Sequence, residues 1–281
     1  MTPGPGRGES WHAVRVRPSG DPAPVIAALF AAGSQGVQEV GDGVVTHFPP
    51  DADVARVRER VVAADPRADV DVRPAVLPDW AEAWKGHVGA HALGALTIVP
   101  PWLAEGRDPA RTIVIDPGMA FGTGEHATTR GVVRLMQHVI RAGDLVADVG
   151  AGSAVLAIAA AKLGAARVAA IELDPEAIGN AEENVARNGV SDRVTIIQGD
   201  AMSLLPLVAP VRVVLANIIS SVIAQLLPVF ERALDADGRA ILSGILGTER
   251  EQMVAVLASR GWRVDAEDAE DVWWSASNAR P

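Results

Sequence analysis

The stretch that most constrains this chain is Leu145–Asp174, LVADVGAGSAVLAIAAAKLGAARVAAIELD. An apolar run, Leu145–Val149, ends in the turn Gly150-Ala151-Gly152-Ser153. A helical pattern follows over 154–163, and a second apolar run, Val168–Ile171, ends in Glu172. Strand, tight turn, helix, strand and acid make a βαβ unit, a layout that holds a nucleotide-like ligand at the carboxyl ends of its strands. Gly150 and Gly152 let backbone N–H groups approach such a ligand with no Cβ in the way. Glu172 falls at the end of the neighbouring strand, where a carboxylate can accept both hydroxyls of a ribose.

The pattern continues downstream. Pro175–Asn188 reads as an amphipathic helix closed by Gly189. Strands follow at Val194–Ile197, Val211–Leu215, Arg239–Leu242 and Trp262–Glu267, with helices at Ser220–Leu234 and Glu249–Arg260 and a last apolar piece at Val272–Ser275. Strands alternating with helices over this length indicate an α/β fold, a doubly wound and mostly parallel sheet. Upstream, alternation at Trp11–Arg17, a short helix at 22–32, two strands within Gly36–Phe48, a helix at 51–64 and a strand at 69–76 give the order βαββαβ. That order is a small ferredoxin-like α+β domain, a fold that names no function by itself.

At 281 residues the chain exceeds one typical domain. The organisation expected is a disordered tail at 1–10, the small domain at 11–77, a linker helix at 78–95 carrying Trp80 and Trp84 on one face, and the α/β domain at 96–281. The net charge of −10 argues against nucleic acid as the main partner, since phosphate binding needs a basic face, and leaves a basic protein partner open. The chain has no cysteine, which excludes disulfides, a thiolate nucleophile and cysteine metal sites. No long uncharged apolar run predicts a membrane span, and the opening MTPGPGRGES has no apolar signal core, so the expected location is the cytoplasm. No His/Asp/Glu cluster has metal spacing, so no metal is expected.

Ligand-facing groups should collect at successive strand ends. Gly150, Gly152, Glu172, Asp200 and Asn217 stand there. Glu172 suits ribose hydroxyls, Asp200 an adenine-edge donor, and Asn217 offers an amide at the far side of the ligand. Asp200 taken alone reads equally well as a helix cap. The segment Asp116–Thr129, DPGMAFGTGEHATT, packs glycine and hydroxyls into a loop ahead of a helix at 129–140. Such a loop costs conformational entropy and suits a backbone that closes on a ligand. A nicotinamide site would want a third glycine where Val155 stands, so an oxidoreductase is the weaker reading.

The turn D-x-G-x-G-S resembles the S-adenosylmethionine motif of class I methyltransferases. The set DPGMAFGTGEHATT, DVGAGS, LDPEAIGNAEENVARNGV and LANI, with the upstream PDWAEAWK, resembles the bacterial ribosomal-protein methyltransferases of the PrmA family over nearly the whole chain. The resemblance implies S-adenosylmethionine as cofactor, with S-adenosylhomocysteine as product. It implies methyl transfer to amino groups of large-subunit ribosomal protein eleven, and a small domain that recognises that protein. It places cofactor contacts on Thr129, Gly150, Glu172 and Asn217, and makes Phe121, Gly122 and Thr123 part of a loop over cofactor and substrate. It also implies a seven-stranded class I methyltransferase sheet, Rossmann-like, whose last strand, here Val272–Ser275, runs antiparallel. Ala154 stands where the family has glycine, Glu172 where Asp is common, and Glu125 and Ala127 where Thr and Pro are frequent.

Methyl transfer from a sulfonium to an amine needs alignment and desolvation more than acid–base power. The acceptor must be neutral, and a free lysine titrates near 10.4. Asn217 is the expected catalytic residue, accepting a hydrogen bond from the amine and aiming its lone pair. His126 reads as a loop-ordering group or, alternatively, a base. A methyltransferase acting on another protein or a small molecule, and a cofactor-binding module without turnover, are the remaining alternatives.

Overall fold

The computed structural model describes residues 11–34, 36–41, 43–75, 89–116 and 124–280. The chain divides into two compact units, Met1–His87 and Val88–Pro281.

The first unit runs β1 (Trp11–Arg17), α1 (Ala23–Ala31), β2 (Gln38–Val40), β3 (Gly43–Phe48), α2 (Val54–Ala64) and β4 (Asp69–Ala75). Its antiparallel sheet has the order β2-β3-β1-β4, which is the ferredoxin-like arrangement. Period-2 alternation in β1 turns Val14 and Val16 inward and Arg15 and Arg17 outward. The inward valines meet Val25, Leu29, Phe48, Val57 and Val61 in one core. Asp53 caps α2 by accepting the Arg56 N–H.

The second unit opens with a three-stranded sheet: β5 (His91–Leu93), β6 (Leu96–Val99) and β7 (Thr112–Val114). β5 is a correction. A helix was expected across 78–95, but the two-residue turn Gly94-Ala95 folds His91–Leu93 back onto Leu96–Val99 as a hairpin. The part of that expected helix at 78–88 lies outside the described residues, as does the tail 1–10.

The large sheet follows. Its elements are α3 (Ala127–Met136), β8 (Leu145–Val149), α4 (Val155–Lys162), β9 (Arg167–Glu172), α5 (Pro175–Arg187), β10 (Val194–Gln198), α6 (Ala201–Val208), β11 (Val211–Asn217), α7 (Ser220–Ala233), β12 (Leu234–Leu246), α8 (Arg250–Ser259), β13 (Arg263–Glu270) and β14 (Trp273–Ala279). The strand order is β10-β9-β8-β11-β12-β14-β13. β14 runs antiparallel to both β12 and β13, and the remaining pairings are parallel. The antiparallel last strand is longer than the stretch Val272–Ser275 expected for it. The order reverses between β8 and β11, which makes their carboxyl ends the topological switch point where ligands bind such sheets.

Central strands are largely apolar because helices cover both faces; every residue of β11 from Val211 to Ala216 is buried, and its one charged residue, Arg212, pairs with Asp144 at 2.6 Å. Helix α3 starts two residues earlier than its pattern indicated, because His126 serves as N-cap. It lies unusually close to the sheet at Gly131, where a Cβ would come within 2.6 Å of Ser275 Oγ. Ser243 Oγ bonds Ser275 Oγ at 2.7 Å and the Thr128 carbonyl at 3.3 Å, fastening the start of α3 to the strand ends.

Candidate active site

Four neighbouring strands deliver their carboxyl ends to one edge of the sheet. Val149 pairs with Ile171 on one side and Ala216 on the other, and Glu172 pairs with Gln198. Gly150, Glu172, Asn217 and the residues after Gln198 therefore stand side by side.

Gly150 turns the chain at φ 74°, and a Cβ there would come within 2.5 Å of Ile218 Cγ2. Its N–H and that of Ala151 both point to the Ile171 carbonyl, at 2.9 and 3.1 Å. Ala154 adopts φ 64° and ψ 18° at the start of α4, a left-handed conformation that favours glycine. The methyl that departs from the family pattern is thus fully buried on strained backbone.

Glu172 is pinned from two sides. Its Oε2 accepts the Gly152 N–H at 2.7 Å and its Oε1 accepts the Asp174 N–H at 2.9 Å. Each carboxylate oxygen keeps a further acceptor site for a hydroxyl donor. Asp200 caps α6 by accepting the Met202 N–H at 2.9 Å. The cap reading of Asp200 therefore holds, and the same residue lines the cavity beside Glu172. That cavity, about 480 Å³, is bounded by Gly150, Glu172 and Asp200 and walled by the apolar side chains of Leu173, Met202, Ile218 and Val222. Its wall is largely apolar, with the acceptor oxygens of Glu172 and Asp200 among its lining.

On the other side of β11 stands a second pair. Asn217 Nδ2 donates to Thr129 Oγ1 at 3.4 Å. Thr129 is fully buried in the first turn of α3, so its hydroxyl serves Asn217 among the described contacts. The predicted residues thus fall into two groups: Gly150, Glu172 and Asp200 around the cavity, with Gly152 tied to it through Glu172, and Thr129 with Asn217 beyond Ile218. Phe121, Gly122 and Thr123 lie outside the described residues.

His126 Nδ1 is 2.6 Å from Thr128 Oγ1 and takes the Thr128 N–H at 3.4 Å, a helix-capping role. Its ring packs edge-on to Trp273, with centroids 4.9 Å apart. Burial, aided by the nearby Arg130 charge, holds its pKa below the usual histidine value.

Asp148 was missed in the sequence, although an acid inside an otherwise apolar strand was the visible signal. It is fully buried beneath the glycine turn. Its Oδ2 accepts the Ala157 N–H at 2.9 Å, while Oδ1 has no hydrogen-bond partner. Burial pushes its pKa up to about 7, the Ala157 N–H opposes that rise, and the Glu172 charge adds to it. Leu173, Met202, Ile218 and Val222 were also missed, since apolar residues next to strand-end acids look like ordinary packing. Among the described residues, no group of three or more His, Asp or Glu is arranged to hold a metal.

A seven-stranded sheet with one antiparallel strand, a glycine turn after its first parallel strand and an acid at the end of the next define a class I methyltransferase domain. Residues 31–281 match the family model described as Ribosomal protein L11 methyltransferase (PrmA), and the chain belongs to that family. It is 40% identical over 210 residues to the Ribosomal protein L11 methyltransferase of Pelotomaculum thermopropionicum, covering 74% of this chain and 68% of that one. It is 34% identical over 251 residues to that of Thermus thermophilus, covering 89% and 92%. A crystal structure of ribosomal protein L11 methylase from Lactobacillus delbrueckii subsp. bulgaricus superposes with a TM-score of 0.60 at 32% identity, covering 68% of this chain and 98% of that one. The chain is accordingly a methyltransferase with a Rossmann-like catalytic unit.

Proposed function

We propose that this chain transfers methyl groups from S-adenosylmethionine to amino groups of large-subunit ribosomal protein eleven, on lysine side chains, the N-terminal amine or both. The observation that carries the cofactor assignment is Glu172, tied to Gly152 and Asp174 N–H groups and lining the largely apolar cavity. The acceptor follows from the family, whose curated relatives are named for ribosomal protein L11.

The cofactor supplies an activated methyl group on a sulfonium, so the chain's residues bind, align and desolvate. Glu172 accepts the ribose hydroxyls through the lone pairs left on Oε1 and Oε2. Leu173, Met202 and Val222 enclose the adenine, with Asp200 at its edge. Gly150 and Gly152 present backbone to the methionine end, and the family motif adds Phe121, Gly122 and Thr123 to the cofactor contacts. Thr129 receives the Asn217 Nδ2–H, which leaves Asn217 Oδ1 to accept a hydrogen bond from the incoming amine and orient its lone pair. The amine loses its proton to water on entry, so no side chain has to act as base. His126, with its lowered pKa and capping role, orders the start of α3.

The α+β unit at 11–77 serves as the acceptor-recognition domain, 78–95 as the connection and 96–281 as the catalytic domain. The acceptor is taken free or within the ribosome, without specificity for nucleic acid, in the cytoplasm. Among the described residues no helix is long and apolar enough to cross a membrane. The cofactor assignment is tested by thermal unfolding with S-adenosylhomocysteine or NAD. A ligand that binds only the folded state raises its stability by mass action. A rise with the first and none with the second supports the reading; the reverse overturns it.

A further inference from the structure

Helix α3 and the β13–β14 hairpin are joined by four charges that the site described above does not use. Arg134 donates from Nε to Asp268 Oδ2 at 2.7 Å and from Nη2 to Glu270 Oε2 at 2.7 Å. Arg130, one turn earlier, donates from Nε to Glu270 Oε1 at 2.9 Å. All four side chains are at least two-thirds buried, and the two guanidiniums balance the two carboxylates. Taken alone, this is a structural ion network whose Coulomb energy is offset by desolvation.

Arg130 does something Arg134 does not. Its Nη1 donates to the backbone carbonyl of Glu125. That carbonyl belongs to the residue just before the helix cap His126, at the described end of the glycine-rich loop. Further contacts hold the same point, among them His91 Nε2 at 2.9 Å from Glu125 Oε1. The His126 ring packs on Trp273 of β14, and Glu125 Oε1 accepts the Gly89 N–H at 3.0 Å. Three residues after His126 comes Thr129, whose hydroxyl receives the Asn217 amide. A continuous series of contacts therefore runs from Glu270 through Arg130 and the Glu125 carbonyl to the first turn of α3, and from there to Asn217.

We propose that Arg130 is a positioning residue for methyl transfer: it fixes the loop end and the first turn of α3, and so fixes where Thr129 holds Asn217. This rests on the methyltransferase reading above. The guanidinium is needed because it presents several donors in one rigid plane, which lets one side chain grip a carboxylate and a carbonyl together. A lysine presents its three donors from one nitrogen, without the planar spread by which Arg130 reaches Glu270 through Nε and the Glu125 carbonyl through Nη1.

The test compares Arg130→Lys with Arg134→Lys. Both lose guanidinium contacts to the β13 carboxylates, but only the first releases the Glu125 carbonyl. Amide exchange is measured at Glu125–Thr128 in cofactor-free protein, together with S-adenosylhomocysteine affinity and kcat at saturating acceptor. For Arg130→Lys, exchange at these amides is expected to rise about 10-fold, since local opening sets exchange. Its kcat is expected to fall about 10- to 100-fold, with cofactor affinity held within about 3-fold, as misplacement of a reacting group costs rate rather than cofactor binding. Arg134→Lys is expected to match the parent in exchange and kcat. Should Arg130→Lys not fold, Arg130→Gln compared with Arg134→Gln carries the same test, with the same rise in exchange expected for the first variant alone. Equal kinetic losses in the two arginine variants, or a parental kcat in Arg130→Lys, overturn the assignment. A parent chain that methylates no acceptor overturns the methyltransferase reading instead.

Discussion

Glu172 Oε2 accepts the Gly152 N–H at 2.7 Å, so the acid at the end of β9 fastens the glycine turn at the end of β8. One side chain thereby shapes the turn and presents acceptors to the ligand. A hydrogen bond to a charged group contributes about 1.5–3 kcal/mol. Glu172→Ala is expected to weaken S-adenosylhomocysteine binding by about 30-fold or more, about 2 kcal/mol. Titration calorimetry checks this, and parental affinity in the variant contradicts the role.

Asn217 is expected to separate chemistry from binding. Its Nδ2 is engaged by Thr129, leaving Oδ1 to the acceptor amine. Asn217→Ala is expected to lower kcat by about 100-fold, the scale for losing orientation of a reacting group. Cofactor affinity should change far less. Near-normal turnover in this variant, with intact cofactor binding, removes Asn217 from the mechanism.

Asp148 gives the fold a pH dependence. Burial raises its pKa to about 7, from 3.8 for a solvated aspartate. The folded state therefore holds a proton that the unfolded state releases between these values. Stability from this group is fully present below pH 3.8 and is lost as pH rises through about 7. At ~1.4 kcal/mol per pKa unit the full effect is about 4 kcal/mol. Asp148→Asn is expected to flatten the fall in denaturant stability between pH 5 and 8. Identical slopes in parent and variant count against the buried acid.

Ala154 tests the strained start of α4. Its left-handed backbone costs roughly 1–2 kcal/mol for a residue with a Cβ. Ala154→Gly relieves that, but loses a buried methyl worth about 0.8 kcal/mol and loosens the unfolded chain by about 0.4–1 kcal/mol. These terms nearly cancel, so the variant should stay within about 0.5 kcal/mol of the parent. Ala154→Val places a β-branched side chain in the same conformation and should cost more than about 2 kcal/mol. Denaturant midpoints decide between these outcomes.

The strand ends were legible because apolar runs stop abruptly at Gly150, Glu172 and Asn217, and burial on both faces demands such runs. The first strand of the small unit was legible because Val14 and Val16 alternate with Arg15 and Arg17. Other features depend on contacts distant in sequence. Helix α6 carries Pro206, which masks its pattern, and owes its start to the Asp200 cap. β5 was obscured because His91–Leu93 is too short to show alternation and becomes a strand only by pairing with Leu96–Val99. The sign of φ at Ala154, the orphaned Oδ1 of Asp148 and the grip of Arg130 on Glu125 are products of tertiary packing. No local pattern in the sequence reports them.

The central claim is tested most directly by incubating the purified chain with S-adenosylmethionine labelled in its methyl group and unmethylated large-subunit ribosomal protein eleven, free and in ribosomes. Label in that one protein, recovered on lysine side chains or its N-terminal amine, is the result expected. Label confined to a small-molecule fraction or to another protein, with none in protein eleven, contradicts the account.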